Sequence, residues 1–180
     1  VAMIGERLNH AINEQIKNEL ESYYIYLSMA AWFHARSLDG MGHWMRCQAH
    51  EEMIHAMKFF NHVIDRGGEV VLLDLKQLKT QWNSPLEVFQ DAFEHEKFIS
   101  GKINDLTSLA REEKDYASEP ILAWFTDEQI EEEATAGKVV DELEMVGADK
   151  SGLLMLDREL SGRAYPPGTP LDPTTVGAAA

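Results

Sequence analysis

The sequence predicts an all-α protein: an antiparallel four-helix bundle with one long crossover and a short fifth helix at its C-terminal end. Three observations predict it. Four long stretches carry apolar side chains at three- and four-residue spacing, the signature of buried helical faces. The stretches are separated by glycine, proline and small polar residues that end helices. Polar groups interrupt each apolar stripe at one level, and they do so in a repeating pattern. In Glu51-Glu52-Met53-Ile54-His55, Glu52 and His55 stand three apart and share a helical face. Seventy-seven residues on, Glu128-Gln129-Ile130-Glu131-Glu132 repeats the motif, with Gln129 for Glu52 and Glu132 for His55. Glu19 precedes Glu52 by 33 residues, and Glu96 precedes Gln129 by the same 33. The chain therefore reads as two helix pairs, each with a glutamate on its first helix and a two-residue motif on its second.

The first helix is expected from about Gly5 to Arg36, with the stripe Leu8, Ile12, Ile16, Glu19, Tyr23, Tyr26, Ala30 and Phe33. Tyr24, Ile25, Leu27 and Trp32 make a second apolar face, which predicts burial on both sides and a partner subunit over the second. Gly40 and Gly42 suit a tight turn into a second helix that runs to about Arg66, where Gly67-Gly68 closes it. So short a connection makes the two helices antiparallel neighbours. Glu19 and Glu52 then lie at similar distances from the turn, about 20 Å at 1.5 Å per residue, and can meet at one level.

Residues 67–84 form the long link. Val70-Val71-Leu72-Leu73 has strand composition, but no second strand exists to pair with it, so an extended crossover is expected. It lets the third helix run parallel to the second. Ser84 as N-cap, Pro85 in the first turn and Glu87 three residues after the cap start that helix, which runs to about Glu113. Ser118 and Pro120 start the fourth, which Gly147 ends. Its stripe, Leu122, Phe125, Gln129, Glu132, Ala136, Val139 and Leu143, puts Gln129 and Glu132 at consecutive core positions. A fifth helix is expected from Ser151 to about Ser161. Residues 1–162 make one domain, and the proline-rich 163–180 a tail, extended or disordered.

Composition narrows the function. A formal charge of −15 repels nucleic acid and anionic membrane surfaces. One cysteine, Cys47, excludes an internal disulfide framework. No signal peptide or membrane-length apolar run is visible, so a cytoplasmic location is expected.

The carboxylates carry the chemistry. Burying Glu19, Glu52, Glu96 and Glu132 together costs several kcal/mol per uncompensated charge, and no Lys or Arg lies on the stripes at that level. Metal ions resolve the conflict. A donor set of carboxylate oxygens with one imidazole suits iron or manganese better than structural zinc. Two such ions held close together favour redox chemistry over hydrolysis. Tyr26, two turns after Glu19, can hydrogen-bond a ligand. His50 and His55 stand five apart and diverge by about 140° around a helix, so His50-Glu51-x-x-x-His55 is not a zinc-protease motif.

Over about residues 5–161 the sequence resembles the prokaryotic non-haem ferritins. The resemblance rests on Asn18-Glu19 with Tyr26, Glu51-Glu52-x-x-His55, His95-Glu96 and Glu128-Gln129-x-x-Glu132. It implies a ferroxidase that oxidises Fe(II) with O2 or H2O2 at a di-iron centre and stores ferric mineral in a 24-subunit homo-oligomeric shell. By resemblance Glu19, Glu52 and His55 bind the first iron. Glu52 bridges to a second ion held by Glu96 and the neighbourhood of Gln129, with Tyr26 alongside. Glu51, Glu128, Glu131 and Glu132 match a third iron site, and the short fifth helix matches the one such shells pack at fourfold axes. The alternative is a non-storing di-iron oxidase or peroxidase of the bacterioferritin or rubrerythrin type. Those relatives carry a second E-x-x-H where this chain has Gln129 and Glu132, and rubrerythrins add a Cys-rich module that is missing here. Met53 occupies the bacterioferritin haem-ligand position, but non-haem members also have methionine there, and haem is not expected.

Overall fold

The computed structural model describes residues 3–166 of the 180. The elements are α1 (Glu6–His34), α2 (Asp39–Asp65), α3 (Pro85–Glu112), a single 3-10 turn (Tyr116–Ser118), α4 (Glu119–Val146) and α5 (Lys150–Leu160). Each helix falls within two residues of its expected ends. Among the described residues there is no strand, and Val70–Leu73 is part of the crossover.

The direction of each helix follows from what meets at the bundle ends. Ile4 N donates to the Arg66 carbonyl at 3.1 Å, so α1 begins where α2 ends. Arg66 bonds Asp115 at 2.8 Å and the Ser118 hydroxyl at 3.1 Å, so α2 ends where α3 ends and α4 begins. Helices α2 and α3 are thus parallel, as the long link requires. Ser118, expected to start α4, makes no side-chain cap there; its hydroxyl is buried against Arg66 and His62. Ser84 does cap α3, accepting from Glu87 N at 3.1 Å, while the Glu87 carboxylate accepts from Asn83 N at 2.7 Å.

The crossover is laid along α1 by polar groups of that helix. Asn13 Oδ1 accepts from Val71 N at 2.7 Å, and Asn13 Nδ2 donates to the Glu69 carbonyl at 2.9 Å. Glu21 then accepts from Lys76 N, Ser28 donates to the Lys79 carbonyl, and Trp82 packs edge-on against Trp32. Contacts advancing along α1 in step with the link hold it extended, and they satisfy backbone groups that would otherwise want a neighbouring strand. Part of the second apolar face of α1 is covered by this link. Tyr24, Leu72 and Val71 remain exposed.

The core is two apolar clusters with a polar level between them. One packs Tyr26, Phe33, Trp44, Phe89 and Leu143 with their neighbours. The other packs Leu8, Ile12, Ile16, Phe59, Ile103 and Phe125. At the edge of the second cluster, Phe59 of α2 and Phe125 of α4 stack with centroids 4.0 Å apart and planes 8° from parallel. Such a pair contributes about 0.5–1.5 kcal/mol beyond its buried area.

Helix α5 is docked against the start of α2. The first turn of α2 has no cap from its own N-cap residue, Leu38. The buried Asp157 of α5 supplies one, accepting from Met41 N at 2.8 Å at the positive end of the helix dipole. The approach needs Gly40, because a Cβ there would stand 1.6 Å from the Asp157 carbonyl oxygen. Gly40→Ala should therefore displace α5 and destabilise the chain by about 1–3 kcal/mol. Thermal unfolding with limited proteolysis near residues 150–160 checks this: a lowered midpoint and new cleavage in α5 are expected.

Candidate metal centre

Seven of the residues that the sequence singles out converge at the polar level. Glu19, Tyr26, Glu52, His55, Glu96, Gln129 and Glu132 are each at most 5% exposed, and they come from all four long helices. Donor atoms of Glu19, Glu52 and His55 lie within 4.8 Å of one another, as do donor atoms of His55, Glu128 and Glu132. His55 belongs to both groups: Nδ1 is 3.5 Å from Glu52 Oε2, and Nε2 is 3.7 Å from Glu128 Oε1. Tyr26 donates to Glu96 Oε1, and Gln129 Nε2 donates to Glu96 Oε2 at 3.2 Å. The two remaining residues of the expected third site stand apart from these groups. Glu51 pairs with Arg163, and Glu131 is exposed.

The polar atoms here are not all satisfied by the protein. Glu19 Oε2 and His55 Nδ1 are buried without a hydrogen-bond partner. Their residues are two of the three whose donor atoms lie within 4.8 Å of one another. A buried acceptor without a partner costs about 1–3 kcal/mol, so a cation between these atoms fits the donor set.

The electrostatics agree. Burial raises the pKa of Glu19. Burial and then the charge of Glu96 push Glu52 well above the ordinary carboxylate range. Glu96 is pushed up to about 7, first by burial, and Glu132 to about 8, by burial and then by Glu96. Burial opposes protonation of His55, but Glu128, Glu52 and Glu19 outweigh it, and its pKa is raised well above the ordinary imidazole value. Without cations the centre therefore holds protons in their place.

Two residues of the site escape the sequence pattern as read above. Gln15, one turn before Glu19, donates to Glu19 Oε1 at 2.8 Å. Gln48, one turn before Glu52, donates to Glu132 Oε2 and lies 3.5 Å from Glu52 Oε1. The signal was present: Gln15 and Gln48 are themselves 33 apart, the spacing that pairs Glu19 with Glu52. His95, beside Glu96, is bonded to Ser22 at 2.7 Å, and burial lowers its pKa to about 4. It is a neutral strut between α1 and α3. No Lys or Arg lies on the four stripes at this level, but Arg163 arrives from beyond α5 and bonds Gln48 and Glu51.

Two outcomes follow. Glu96, Glu132 and His55 all have folded-state pKa values above their unfolded ones, so each contributes stability below its unfolded value that is lost as pH rises through the folded one. The contributions of Glu96 and Glu132 should decline between about pH 4.5 and 8 in metal-free protein, and that of His55 as pH rises above about 6.5. Excess Zn(II), as a redox-inert probe, should flatten that decline; differential scanning calorimetry across this range checks it. Gln48→Leu removes a donor to the ligands and should weaken metal binding about 10–100-fold, measured by titration calorimetry.

Comparison with known proteins agrees with this architecture. Residues 9–146 match the ferritin-like domain family. A bacterial non-heme ferritin of Bacteroides fragilis is 41% identical over 161 residues, covering 89% of this chain and all of the relative. One from Staphylococcus epidermidis is 36% identical, covering 91% of this chain and 98% of the relative. Among solved structures, an open-pore ferritin from Archaeoglobus fulgidus superposes with a TM-score of 0.88 at 44% identity, covering 89% of this chain and 98% of that one. A closed form of that ferritin, made by site-directed mutagenesis, gives 0.89 at 43% identity, with 91% and 99% covered. With the helix directions, the crossover and the polar level all in agreement, the chain belongs to the ferritin family.

Proposed function

We propose that this chain is an iron-storage ferritin with ferroxidase activity, oxidising Fe(II) at the buried polar level and keeping the ferric product inside a shell of about twenty-four copies. The observation that carries the chemistry is the joint burial of Glu19, Glu52 and His55, with one oxygen and one nitrogen among them making no hydrogen bond to the protein. The storage reading is supported by the ferritin relatives, which match almost end to end.

In this reading Fe(II) is the substrate. Glu19, Glu52 and His55 take one ion; Glu52 bridges to a second beside Glu96 and Gln129. Entry of the ions expels the protons that burial holds on Glu96 and Glu132. Two ferrous ions then give up two electrons. Dioxygen takes them with two protons to give hydrogen peroxide, or hydrogen peroxide takes them with two protons to give two waters. Tyr26 holds Glu96 in place, and Gln15 and Gln48 hold the carboxylates of Glu19 and Glu132. Glu128, Glu132, Glu131 and Glu51 make a third, outer station for iron leaving the centre. No helix among the described residues is long and apolar enough to cross a membrane, which fits a cytoplasmic protein.

Size-exclusion with light scattering, before and after aerobic Fe(II) loading, tests storage. A particle of about twenty-four chains that gains iron far beyond three ions per chain at constant radius is expected. A small oligomer that stops at two ions per chain would replace storage with a non-storing di-iron oxidase. The double variant Glu52→Ala with His55→Ala should lose saturable iron oxidation while keeping its oligomeric state.

A further inference from the structure

Beyond α5 the chain turns back across α2, and Arg163 and Tyr165 are seated on one stripe of that helix. The Arg163 carbonyl accepts from His43 Nε2 at 2.7 Å. The Tyr165 ring packs against His43 and His50, with centroids 5.1 and 4.8 Å away. The guanidinium lies 4.4 Å above the Trp44 ring centroid. Nη1 donates to Gln48 Oε1 at 2.8 Å, and Nη2 donates to a carboxylate oxygen of Glu51. Backbone and side chain are thus held at separate points, and the Arg163 side chain is only 19% exposed. It is a placed cation, not a solvated one.

Its partners border the proposed centre. Gln48 uses its carbonyl oxygen for Arg163 and turns its amide nitrogen to Glu132 and Glu52, so the guanidinium fixes which way that amide faces. Glu51 feels the like charges of Glu128 and Glu131, while the opposing Arg163 charge acts on it directly. A metal ion taking Glu51 as a ligand needs the lone pairs and the charge that Arg163 now uses.

We propose that Arg163 is a tethered cation that competes with iron for Glu51 and so sets the affinity of the outer, third iron station. The inference rests on the reading of Glu51, Glu128, Glu131 and Glu132 as that station. With Arg163 seated, Glu51 is withheld and Gln48 presents donors to the inner carboxylates. With Arg163 displaced, Glu51 turns to the metal, and iron is retained one step outside the centre. Arg163 is a specificity-determining residue whose side chain bonds Gln48 and Glu51.

Titration calorimetry of full-length metal-free protein with Zn(II) tests this. Wild type is expected to bind two ions per chain tightly and a third weakly. Arg163→Gln should still bind two ions, less tightly than wild type because the Gln48 amide is freed, and should tighten the third on the order of tenfold, the scale of one charge-assisted hydrogen bond. Arg163→Lys, which keeps the charge but loses the two-pronged donor, should fall between them. Arg163→Gln combined with Glu51→Gln should lose the gain. The proposal is overturned if the third ion is unchanged or weaker in Arg163→Gln, if the gain survives Glu51→Gln, or if neither protein binds a third ion. In that last case two tight ions still uphold the inner centre, whereas their absence from wild type would refute the centre itself.

Discussion

Everything in this fold turns on a conflict of charge. Four glutamates from four helices are brought to one level of a bundle whose ends above and below are packed with aromatic and aliphatic side chains. A folded domain is stable by only a few to about fifteen kcal/mol, so it cannot carry several naked carboxylates in its centre. The molecule meets the conflict with protons on Glu96, Glu132 and His55, with amide donors from Gln15, Gln48 and Gln129, and with a phenol from Tyr26. What these leave unsatisfied, Glu19 Oε2 and His55 Nδ1, describes the shape of a cation's place.

The helices are built to keep that level fixed. His95 and Ser22 tie α3 to α1 one residue from Glu96. The Phe59 and Phe125 stack ties α2 to α4 next to His55, whose ring packs edge-on against Phe125. At the far end, Arg66 closes on Asp115 and Ser118 with its guanidinium almost fully buried. Polar struts thus cross between helices at the level of the buried carboxylates, and apolar packing takes over a turn away.

Much of this was legible in the sequence because helical structure is local and periodic. The stripes place Glu19, Glu52, Glu96, Gln129 and Glu132 in the core, and the repeated 33-residue interval sets them at one depth. The link at 67–84 could be read as extended because a lone apolar tetrapeptide has nothing to pair with. Its path could not, since Asn13, Glu21 and Ser28 are unremarkable helix-surface residues until the link lies over them. Gln48 was hidden for a related reason: a glutamine one turn from a glutamate looks like an ordinary surface pair. Arg163 was further out of reach. Nothing local to the segment after Gly162 says that it folds back 112 residues in sequence to Glu51.

The cap that Asp157 places on α2 also bears on the order in which the molecule can be completed. The amide of Met41 waits for an acceptor 116 residues later in the chain. During synthesis from the N-terminus, α1 and α2 are finished long before α5 emerges, and contacts of such separation form late. The first turn of α2 therefore lacks this side-chain cap until α5 docks. The helix that carries Glu52 and His55 gains this contact at its start only after α5 has been made.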